Sequence, residues 1–395
     1  MKALNIAICG AGPAGLGAAV ALYREGHHIT IFDQFDAPKP IGSGLILQPT
    51  GLAVLDWLSF GDEMRKLGAP IHNLFGKAAK SGRVVLDVRY DSLGKATGLA
   101  VHRAGLFHVL HKAISAAKIE IKMSTKINAL DGSVLILNET ERAGPFDLII
   151  DALGSRSPLI KYASGPDYRQ QLKYGAIWAS LPWPGTPFDD HALEQRYEAA
   201  SVMIGVLPIG QRFPGDQNHA AFFWSLKSQD YVHWLAIGLE PWKQQVLSLW
   251  PETSQLLTAI TSQDQMTMAQ YDHHTLSLPY GEKLVFIGDS AHSTSPQLGQ
   301  GANMALLDVM ALTHAVQQNT DLQTALATYA CARRWHVKLY QVMSATLTPF
   351  YQSDSILLPM IRDYLVAGAS MVPPAQRLLA TLVSGKLGLH TQPLP

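Results

Sequence analysis

Cysteine is scarce in this 395-residue chain, which contains only Cys9 and Cys331. Neither belongs to a CxxC pair, so the sequence excludes both a disulfide framework and a redox-active dithiol. Cys9 falls on a predicted strand and Cys331 on a predicted helix. Both are therefore expected to be small, buried apolar residues.

Net charge is also lacking, because 31 basic residues balance 31 acidic ones. Such a chain has no global field that would attract nucleic acid or an anionic membrane. No apolar run reaches the roughly 18 residues that span a bilayer, and the first predicted strand begins too early to leave room for a signal peptide. We therefore expect a cytoplasmic protein without a transmembrane segment. The partly apolar tail at 353–387 leaves loose membrane association as a minor alternative.

The amino-terminal residues follow an order typical of dinucleotide-binding folds. Glycines at this spacing make a tight turn, admit a pyrophosphate and let a helix pack on a strand, while an acidic residue about 20 positions on can bind a ribose hydroxyl. The order therefore predicts a site for an adenine dinucleotide. The elements that follow this order are the strand Leu4–Cys9, the glycines Gly10, Gly12 and Gly15, a helix that starts at Pro13, the strand His28–Phe32, and Asp33.

A second glycine-rich turn, Gly288–Asn303, lies between an apolar run and a helix. Leu284–Ile287 is predicted to be a buried strand and Ala302–Val316 a helix, so Asp289 falls at the carboxyl end of a strand. Free backbone N–H groups and the positive end of a helix dipole collect at such a place. The alternative is that Gly288–Asn303 is an ordinary strand-to-helix loop. Together with the first turn, the stretch indicates that a flat, polar group is held here.

These motifs, with His102-Arg103 before a helix and Ala152–Ser157 after a strand, resemble the class A flavin-dependent monooxygenases. That family includes para-hydroxybenzoate hydroxylase and the ubiquinone-biosynthesis hydroxylases. The resemblance implies one FAD, no separate nicotinamide domain, NADPH or NADH as electron donor, and a substrate cavity beneath an antiparallel sheet. It also implies hydroxylation of a small aromatic or heteroaromatic substrate by O2 through a flavin C4a-hydroperoxide.

The resemblance assigns roles to residues along the chain. The loop with Gly44 would lie along the isoalloxazine, Arg103 near the pyrophosphate, and Asp289 at the ribityl chain. The alternatives to these roles are that Gly44 lies in an ordinary crossover loop and that Arg103 is a solvated surface residue. The full expected cofactor set is Gly10, Gly12, Pro13, Ala14, Gly15, Asp33, Gln34, Gly44, Arg103, Gly154, Asp289, Pro296, Gly299, Gln300, Gly301, Ala302 and Asn303.

Leu153 is where the chain departs from the family, which usually has Ala-Asp-Gly at this point. A leucine side chain cannot accept a hydrogen bond. Gly154, Arg156 and Ser157 remain, so FAD binding is expected to persist, while reduction by bound NAD(P)H is in question. A flavin oxidase, or a monooxygenase supplied with reduced flavin, is therefore a second hypothesis. A flavin-binding protein without turnover is the third.

The motifs and composition predict an α/β fold in two interlocked domains. A Rossmann-like FAD-binding domain would comprise 1–70, 100–165 and 270–345, and an antiparallel β-sheet substrate domain 71–99 and 166–269. A C-terminal helical segment would cover 346–395 and either cap the interface between the two domains or form a subunit contact in a homodimer.

Aromatic and apolar residues on the inserted sheet are candidates for a substrate pocket, because ligand cavities are mostly apolar. Ordinary sheet core is the alternative for each of them. No residue stands out as a catalytic base. His273 and His274 lack a third ligand at metal spacing, so no metal site is expected, and His292 is predicted to be an exposed loop histidine. The candidate pocket residues are Trp178, Met203, Phe222, Trp224 and Pro296.

Overall fold

The computed structural model describes residues 1–37, 42–94, 96–370 and 372–389. Two parts of the sequence predictions lie outside that range. They are Ile41, the first residue of the predicted loop that contains Gly44, and the last six residues of the C-terminal segment. In chain order the strands are β1 (Asn5–Cys9), β2 (His28–Phe32), β3 (Gly44–Leu47), β4 (Ala69–Ile71), β5 (Asn73–Ala78), β6 (Val84–Arg89), β7 (Gly98–His102), β8 (Glu120–Lys122), β9 (Ile127–Asp131), β10 (Val134–Leu137), β11 (Glu141–Ala143), β12 (Leu148–Asp151), β13 (Asp167–Pro182), β14 (Ala192–Glu198), β15 (Val202–Gly210), β16 (His219–Lys227), β17 (Thr267–Leu276), β18 (Leu284–Phe286) and β19 (His292–Ser293).

The helices divide between the first and the last parts of the chain, with a short group between β16 and β17. They are α1 (Pro13–Arg24), α2 (Pro49–Trp57), α3 (Gly61–Leu67), α4 (Arg103–Ala116), α5 (Tyr231–Ile237), α6 (Leu239–Leu249), α7 (Ser254–Thr258), α8 (Gly301–Gln318), α9 (Leu322–Tyr351), α10 (Leu357–Ile361), α11 (Ala367–Ser370) and α12 (Pro373–Val383). A π-helical turn, Arg362–Val366, joins α10 to α11.

A five-stranded parallel sheet, in the order β18-β12-β1-β2-β8, carries the predicted dinucleotide unit. The inner strands are apolar on both faces, as expected for a parallel sheet that is covered on both sides. Ile6 and Ile8 face α1, α4 and α8, while Ala7 and Cys9 face the small sheet β11-β10-β9. The carboxyl ends of β1, β12 and β18 therefore meet at one edge.

An eight-stranded sheet, in the order β19-β17-β13-β16-β15-β14-β5-β6, forms the second layer. Its pairs are antiparallel except for β14 and β5, which run parallel. One face packs on α6 and α7 through Trp242 and Trp250. The opposite face, called the inner face below, carries Val85, Trp178, Met203 and Phe223 and packs against the end of α9.

The first part of β13 was not expected to be a strand, because residues 167–173 are mostly polar. Its pairing with β17, from Asp167 opposite Leu276, extends the strand beyond the apolar stretch, with an irregularity between Gln171 and Gly175. Strand pairing thus outweighs the weak local propensity of these residues. The hairpin between β9 and β10 turns at Asp131-Gly132, a favoured hairpin sequence, and Gly132 has the positive φ of 58° that such a turn needs.

Two further expectations need correction. Cys331 is exposed on α9, whereas Cys9 is buried as expected. His292 is buried rather than exposed, because it lies beneath the turn at Gly288.

Among the described helices, none is both long and apolar enough to cross a membrane. The described residues also contain no group of three or more His, Cys, Asp or Glu side chains placed to hold a metal ion.

Candidate cofactor and substrate site

The turn between β1 and α1 contains two glycines that the fold itself requires. Gly10 has a φ of +104°, and a Cβ there would lie 2.6 Å from the carbonyl oxygen of Ala152. A Cβ on Gly15 would lie 2.0 Å from the carbonyl oxygen of Gly10. A Cβ on Gly12 would instead meet nothing within 4 Å. Gly12 therefore faces open space, as a close approach by a phosphate requires.

The start of α1 has the donors that an anion needs. No side chain caps the helix, and Pro13 occupies its first turn, where a missing N–H costs nothing. The first backbone N–H groups of α1 have no intrahelical partner and are therefore available at its start, beside Gly12. Open space next to uncapped N–H groups fits the pyrophosphate of a dinucleotide.

Asp33 ties this turn to the end of β2. Its carboxylate accepts the backbone N–H of Ala11 at 2.7 Å and that of Phe35 at 3.0 Å. These bonds orient the carboxylate at the edge where a ribose would lie. Gln34, the next residue, is exposed at the same edge.

The turn after β18 is held from below by a buried charged network. The N–H of Gly288 donates to Asp308 Oδ2 at 2.8 Å, and His292 Nε2 lies 2.6 Å from the same oxygen. Arg333 Nε donates to Asp308 Oδ1 at 2.7 Å. Burial alone would raise the pKa of Asp308, but the charges of His292 and Arg333 outweigh it and lower that pKa. Asp308 therefore stays ionised and anchors the turn.

Asp289 lies next to this network, beside the start of α8. Solvent reaches its side chain, yet the carboxyl lies deep among protein atoms, and this burial raises its pKa. The charges of His292 and Arg103 offset part of that rise. A carboxyl that is both deep and accessible marks the floor of a cleft, which fits a role in holding a polar chain such as ribityl.

The uncapped amino end of α8 borders the same cleft. A Cβ on the exposed Gly301 would lie 3.9 Å from Asp289 Oδ1, and Gly299 turns with a φ of +61°. Pro296 begins the short turn before it and is half-buried, as is Ala302. The free N–H groups and positive dipole end of α8 thus face the cleft, where they favour electron-rich atoms.

The side chains of Gln300 and Asn303 are engaged within the protein. Asn303 binds Gln48, Ile46 and Gly299, and Gln300 Nε2 donates to the carbonyl of Val383 at 2.5 Å. Any contact of Asn303 with a cofactor therefore falls to its backbone atoms, whereas Gln300 Oε1 has no partner among the described residues. The buried Gln48 Nε2, 3.4 Å from the position of a Cβ on Gly299, has no partner among the described residues and is a free donor beside this turn.

Arg103 lies against the Gly44 loop at the start of α4. A Cβ on Gly42 would lie 2.8 Å from Arg103 Cδ, so the loop and the arginine pack closely. The charge of Arg103 acts on both Asp289 and Tyr271, which places all three around one space. Gly44 itself packs on the eight-stranded sheet, since a Cβ there would lie 2.3 Å from Ile209 Cγ2.

Leu153 contributes no polar group to the cleft and packs on the core beneath the small sheet. The nearby acidic residue, Asp151, turns inward instead. It accepts the N–H of Leu153 at 2.9 Å and a short hydrogen bond from Ser157. Burial raises the pKa of Asp151 to about 7, although these hydrogen bonds work in the opposite direction. Gly154, with a φ of +86°, faces open space.

The candidate pocket residues divide between the two faces of the eight-stranded sheet. Trp178 and Met203 lie on the inner face. Phe222 and Trp224 lie on the other face, where their ring centroids are 6.1 and 6.2 Å from that of Trp242. Because that face is covered by α6, Phe222 and Trp224 belong to the core between the sheet and α6 and not to a pocket.

Tyr271, which the sequence did not single out, lies beside Trp178. Its hydroxyl oxygen accepts the indole N–H of Trp178 at 2.9 Å, and burial raises its pKa to about 12. His273, two residues on, is buried, and its two ring nitrogens have no partner within 3.5 Å among the described residues. The alternation of β17 places both on one side of the strand. Only the pairing of β17 with β13 brings Tyr271 next to Trp178.

Comparison with known proteins gives the same architecture. The FAD binding domain family model matches residues 3–133 and 203–341. The FAD-dependent urate hydroxylase of Klebsiella pneumoniae is 25% identical over 338 residues, which cover 84% of this chain and 86% of that protein. The crystal structure of Klebsiella pneumoniae HpxO with FAD and uric acid has a TM-score of 0.80 at 19% identity, covering 97% and 98% of the two chains.

The tetrameric form of 2-methyl-3-hydroxypyridine-5-carboxylic acid oxygenase also has a TM-score of 0.80, at 19% identity and 96% coverage of each chain. The resemblance predicted from the motifs is thereby confirmed, as is the mixed α/β fold with its FAD-binding layer, antiparallel sheet and C-terminal helices. The chain belongs to the FAD binding domain family and is an FAD-dependent monooxygenase.

Proposed function

We propose that this protein hydroxylates a small aromatic or heteroaromatic molecule, using FAD and dioxygen. One observation carries the proposal: the accessible carboxyl of Asp289 lies beside the uncapped start of α8, and the charge of Arg103 acts both on it and on Tyr271, the partner of Trp178. The names of the relatives, a urate hydroxylase and a hydroxypyridine carboxylic acid oxygenase, support a heteroaromatic substrate.

Bound FAD, once reduced, supplies the activation of dioxygen; the protein supplies binding, orientation and electrostatics. The start of α1 and Gly12 would hold the pyrophosphate, with Arg103 as a further positive charge. Asp289 would hold the ribityl chain. The amino end of α8 would place its positive dipole end beside the ring, where it stabilises negative charge.

The inner face would hold the substrate against the ring. The Tyr271 oxygen accepts the N–H of Trp178, so the phenol proton remains free to be donated to a substrate oxygen. With a pKa of about 12, Tyr271 stays protonated at neutral pH and acts as a donor, not as a base. Trp178 and Phe223, with ring centroids 4.6 Å apart, would exclude water beside it.

The wider organisation is part of the same proposal. The FAD-binding domain would comprise 1–70, 100–165 and 270–345, and the substrate domain 71–99 and 166–269. The helical segment after residue 346 would cover the inner face of the sheet, and a homodimer in the cytoplasm is the proposed state. The packing of Tyr351 on Tyr197, with ring centroids 5.5 Å apart, supports the covering role.

NADPH or NADH is the proposed electron donor, and externally supplied reduced flavin is the second candidate. The second candidate is favoured by one observation, the inward-turned Asp151 beside the apolar Leu153, which leaves no carboxylate on this wall of the cleft. An electron donor that carries an amide or a ribose would find no hydrogen-bond acceptor in the side chain of Leu153.

Reduction of the purified yellow protein without oxygen tests both proposals. Loss of the flavin absorbance with NADPH or NADH, accelerated by a heteroaromatic compound such as urate, supports the first donor. Reduction by dithionite alone supports the second, provided that the reduced protein hydroxylates the compound when air is admitted. A protein that takes up FAD yet forms no hydroxylated product with any member of a panel of phenols, pyridines and quinolones would contradict the monooxygenase proposal.

A further inference from the structure

The last helix, α12, ends against the proposed cofactor site. The final carbonyl groups of a helix have no intrahelical donor and need partners from elsewhere. Four successive carbonyls at this end, those of residues 382–385, each accept a hydrogen bond from a buried side chain, and these residues are called the docked end below. The pairs are Tyr340 to Leu382 at 2.6 Å, Gln300 to Val383 at 2.5 Å, Thr50 to Ser384 at 3.1 Å and His336 to Gly385 at 2.9 Å.

Gln300 connects the docked end to the carboxyl-terminal half of the turn Gly288–Asn303. It lies between the two glycines that precede α8, and its Nε2 donates to a carbonyl 83 positions later in the chain. Apolar packing adds to this connection, because Leu382 and Leu298 belong to one buried cluster. The part of the turn beside the start of α8 is therefore held by the C-terminal segment.

His336 connects the docked end to the other half of the same turn. Burial, together with the charge of Arg333, lowers the pKa of His336 to about 3, so its ring is neutral. Arg333 Nη1 donates to His336 Nδ1 at 3.0 Å, which leaves the proton on Nε2 to be donated to Gly385. Arg333 also donates to Asp308, which accepts the N–H of Gly288. A chain of hydrogen bonds therefore runs from the docked end to the start of the turn.

The docked end fits closely between two walls of the proposed FAD site. Gly385 has a φ of +82°, and a Cβ there would lie 2.3 Å from Thr50 Oγ1 and 3.1 Å from Gln300 Oε1. Thr50 belongs to the first turn of α2, just after β3, while Gln300 directly precedes α8. A displacement of the docked end would thus release both walls.

We propose that the segment from α12 onward is part of the FAD-binding machinery, and that His336 is a positioning residue that couples its docking to FAD binding. This inference rests on the proposed FAD site and goes beyond the proposed hydroxylation. The turn Gly288–Asn303 contains three glycines, so ordering it costs more conformational entropy than ordering other residues would. The docked end meets that cost before FAD arrives. By linkage, FAD must then stabilise the docking by the same factor, and such couplings are typically about 5–150-fold.

Trypsin cleavage of the full-length protein with and without FAD tests the coupling. Arg377 in α12 and Lys386 beside the docked end are exposed, and cleavage there requires the segment to open locally. FAD should slow cleavage at both positions at least fivefold. Cleavage at the exposed Lys80, in the turn between β5 and β6, is the control and should change less than twofold.

His336→Phe removes the donor to Gly385 and the acceptor for Arg333. This variant should bind FAD at least fivefold more weakly, and FAD should slow its cleavage at Lys386 less than twofold. His336→Gln, whose amide can both donate and accept, should restore part of both effects. A contribution to stability alone would leave the ratio of the two cleavage rates as it is in the parent protein.

Gly385→Ala changes the docked end itself and should weaken FAD binding by a similar factor. Gly388→Ala is the matched control and should bind FAD normally. Gly388 also has a positive φ, of +76°, but a Cβ there would meet Leu339 of α9 and not the turn.

The proposal is overturned if FAD does not slow cleavage of the parent protein at Arg377 and Lys386, or if His336→Phe keeps the parent's FAD affinity or rate ratio. Should His336→Phe fail to fold, an unchanged FAD affinity in Gly385→Ala overturns it. A parent protein that FAD protects in this way but that hydroxylates nothing would contradict the proposed function and leave the coupling standing.

Discussion

The side-chain oxygen of Asn303 accepts the backbone N–H of Gln48 at 2.8 Å, across 255 positions of the chain. The amide nitrogen of Asn303 donates to the carbonyls of Ile46 and Gly299 at 3.1 and 2.9 Å. One buried residue thus joins the start of α8 to the strand β3 that crosses the cleft. Two walls of the proposed FAD site are therefore fixed to each other by a single side chain.

Asn303→Ala should leave three buried backbone groups without partners. We expect a loss of about 2–4 kcal/mol in the free energy of unfolding, and FAD affinity at least tenfold lower, since each unpaired buried group costs about 1 kcal/mol or more. Urea unfolding and FAD titration measure the two effects. Asn319→Ala, which removes a bond to Ala315 at the other end of α8, is the control and should not alter FAD affinity.

Gly12→Ala and Gly15→Ala should separate cofactor binding from folding. A methyl group on Gly12 enters open space, so the cofactor-free protein should keep its stability to within about 0.5 kcal/mol, while FAD binds at least tenfold more weakly. A methyl group on Gly15 meets the carbonyl of Gly10 and should cost several kcal/mol, as overpacking does. Thermal unfolding without FAD and a titration with FAD measure the two effects. Normal FAD binding by Gly12→Ala would contradict the proposed pyrophosphate site.

Asp151 should make the protein less stable as pH rises toward 8. Its pKa in the folded protein is about 7, above the value of about 3.9 in an unfolded chain, so the folded state binds the extra proton between these values. Stability therefore falls with rising pH in that window, by about 2–3 kcal/mol between pH 5 and 8. Asp151→Asn should remove this component of the pH dependence, measured by urea unfolding at each pH.

The exposed Asp147, whose carboxylate accepts the N–H of Asn5 at 2.8 Å, provides the control for that experiment. Asp147→Asn should keep the pH dependence of the parent protein. If Asp151→Asn retained the full decline in stability between pH 5 and 8, the carboxyl would not be the buried acid that the structure indicates.

Trp178→Phe and Trp224→Phe should distinguish the two faces of the sheet. The first change removes the N–H that bonds to Tyr271, so we expect aromatic ligands to bind about tenfold more weakly with little loss of stability. The second leaves space against Trp242 and should cost on the order of 1–3 kcal/mol without affecting ligand affinity. Flavin absorbance titrations and urea unfolding give both numbers, and the reverse pattern would show that the pocket lies on the other face.

The sequence was informative where a requirement is local. Gly10 and Gly15 are needed because atoms a few residues away, or at the end of the adjacent strand, leave no space for a Cβ, and such requirements appear as a motif. The strand His28–Phe32 was predicted with its observed bounds because an apolar stretch there is short and flanked by polar residues. The family and fold followed from these local signals.

What the sequence did not reveal depends on distant pairing. Residues 222 and 224 face away from 223 because strand faces alternate, and a shift of one position reverses every assignment. His292 looked like a loop residue because its partner Asp308 lies on the next helix. Tyr271 carries no motif at all, since its partner Trp178 comes from β13.

The two turns proposed to bind FAD lie far apart in the chain, one between β1 and α1 and the other after β18. A ribosome releases the first turn early and the second only after seven of the eight strands of the large sheet have emerged. A nascent chain of intermediate length therefore has half a site and cannot enclose the dinucleotide. The flavin can join this protein only late in its synthesis, so the early folding steps must succeed without any help from the cofactor.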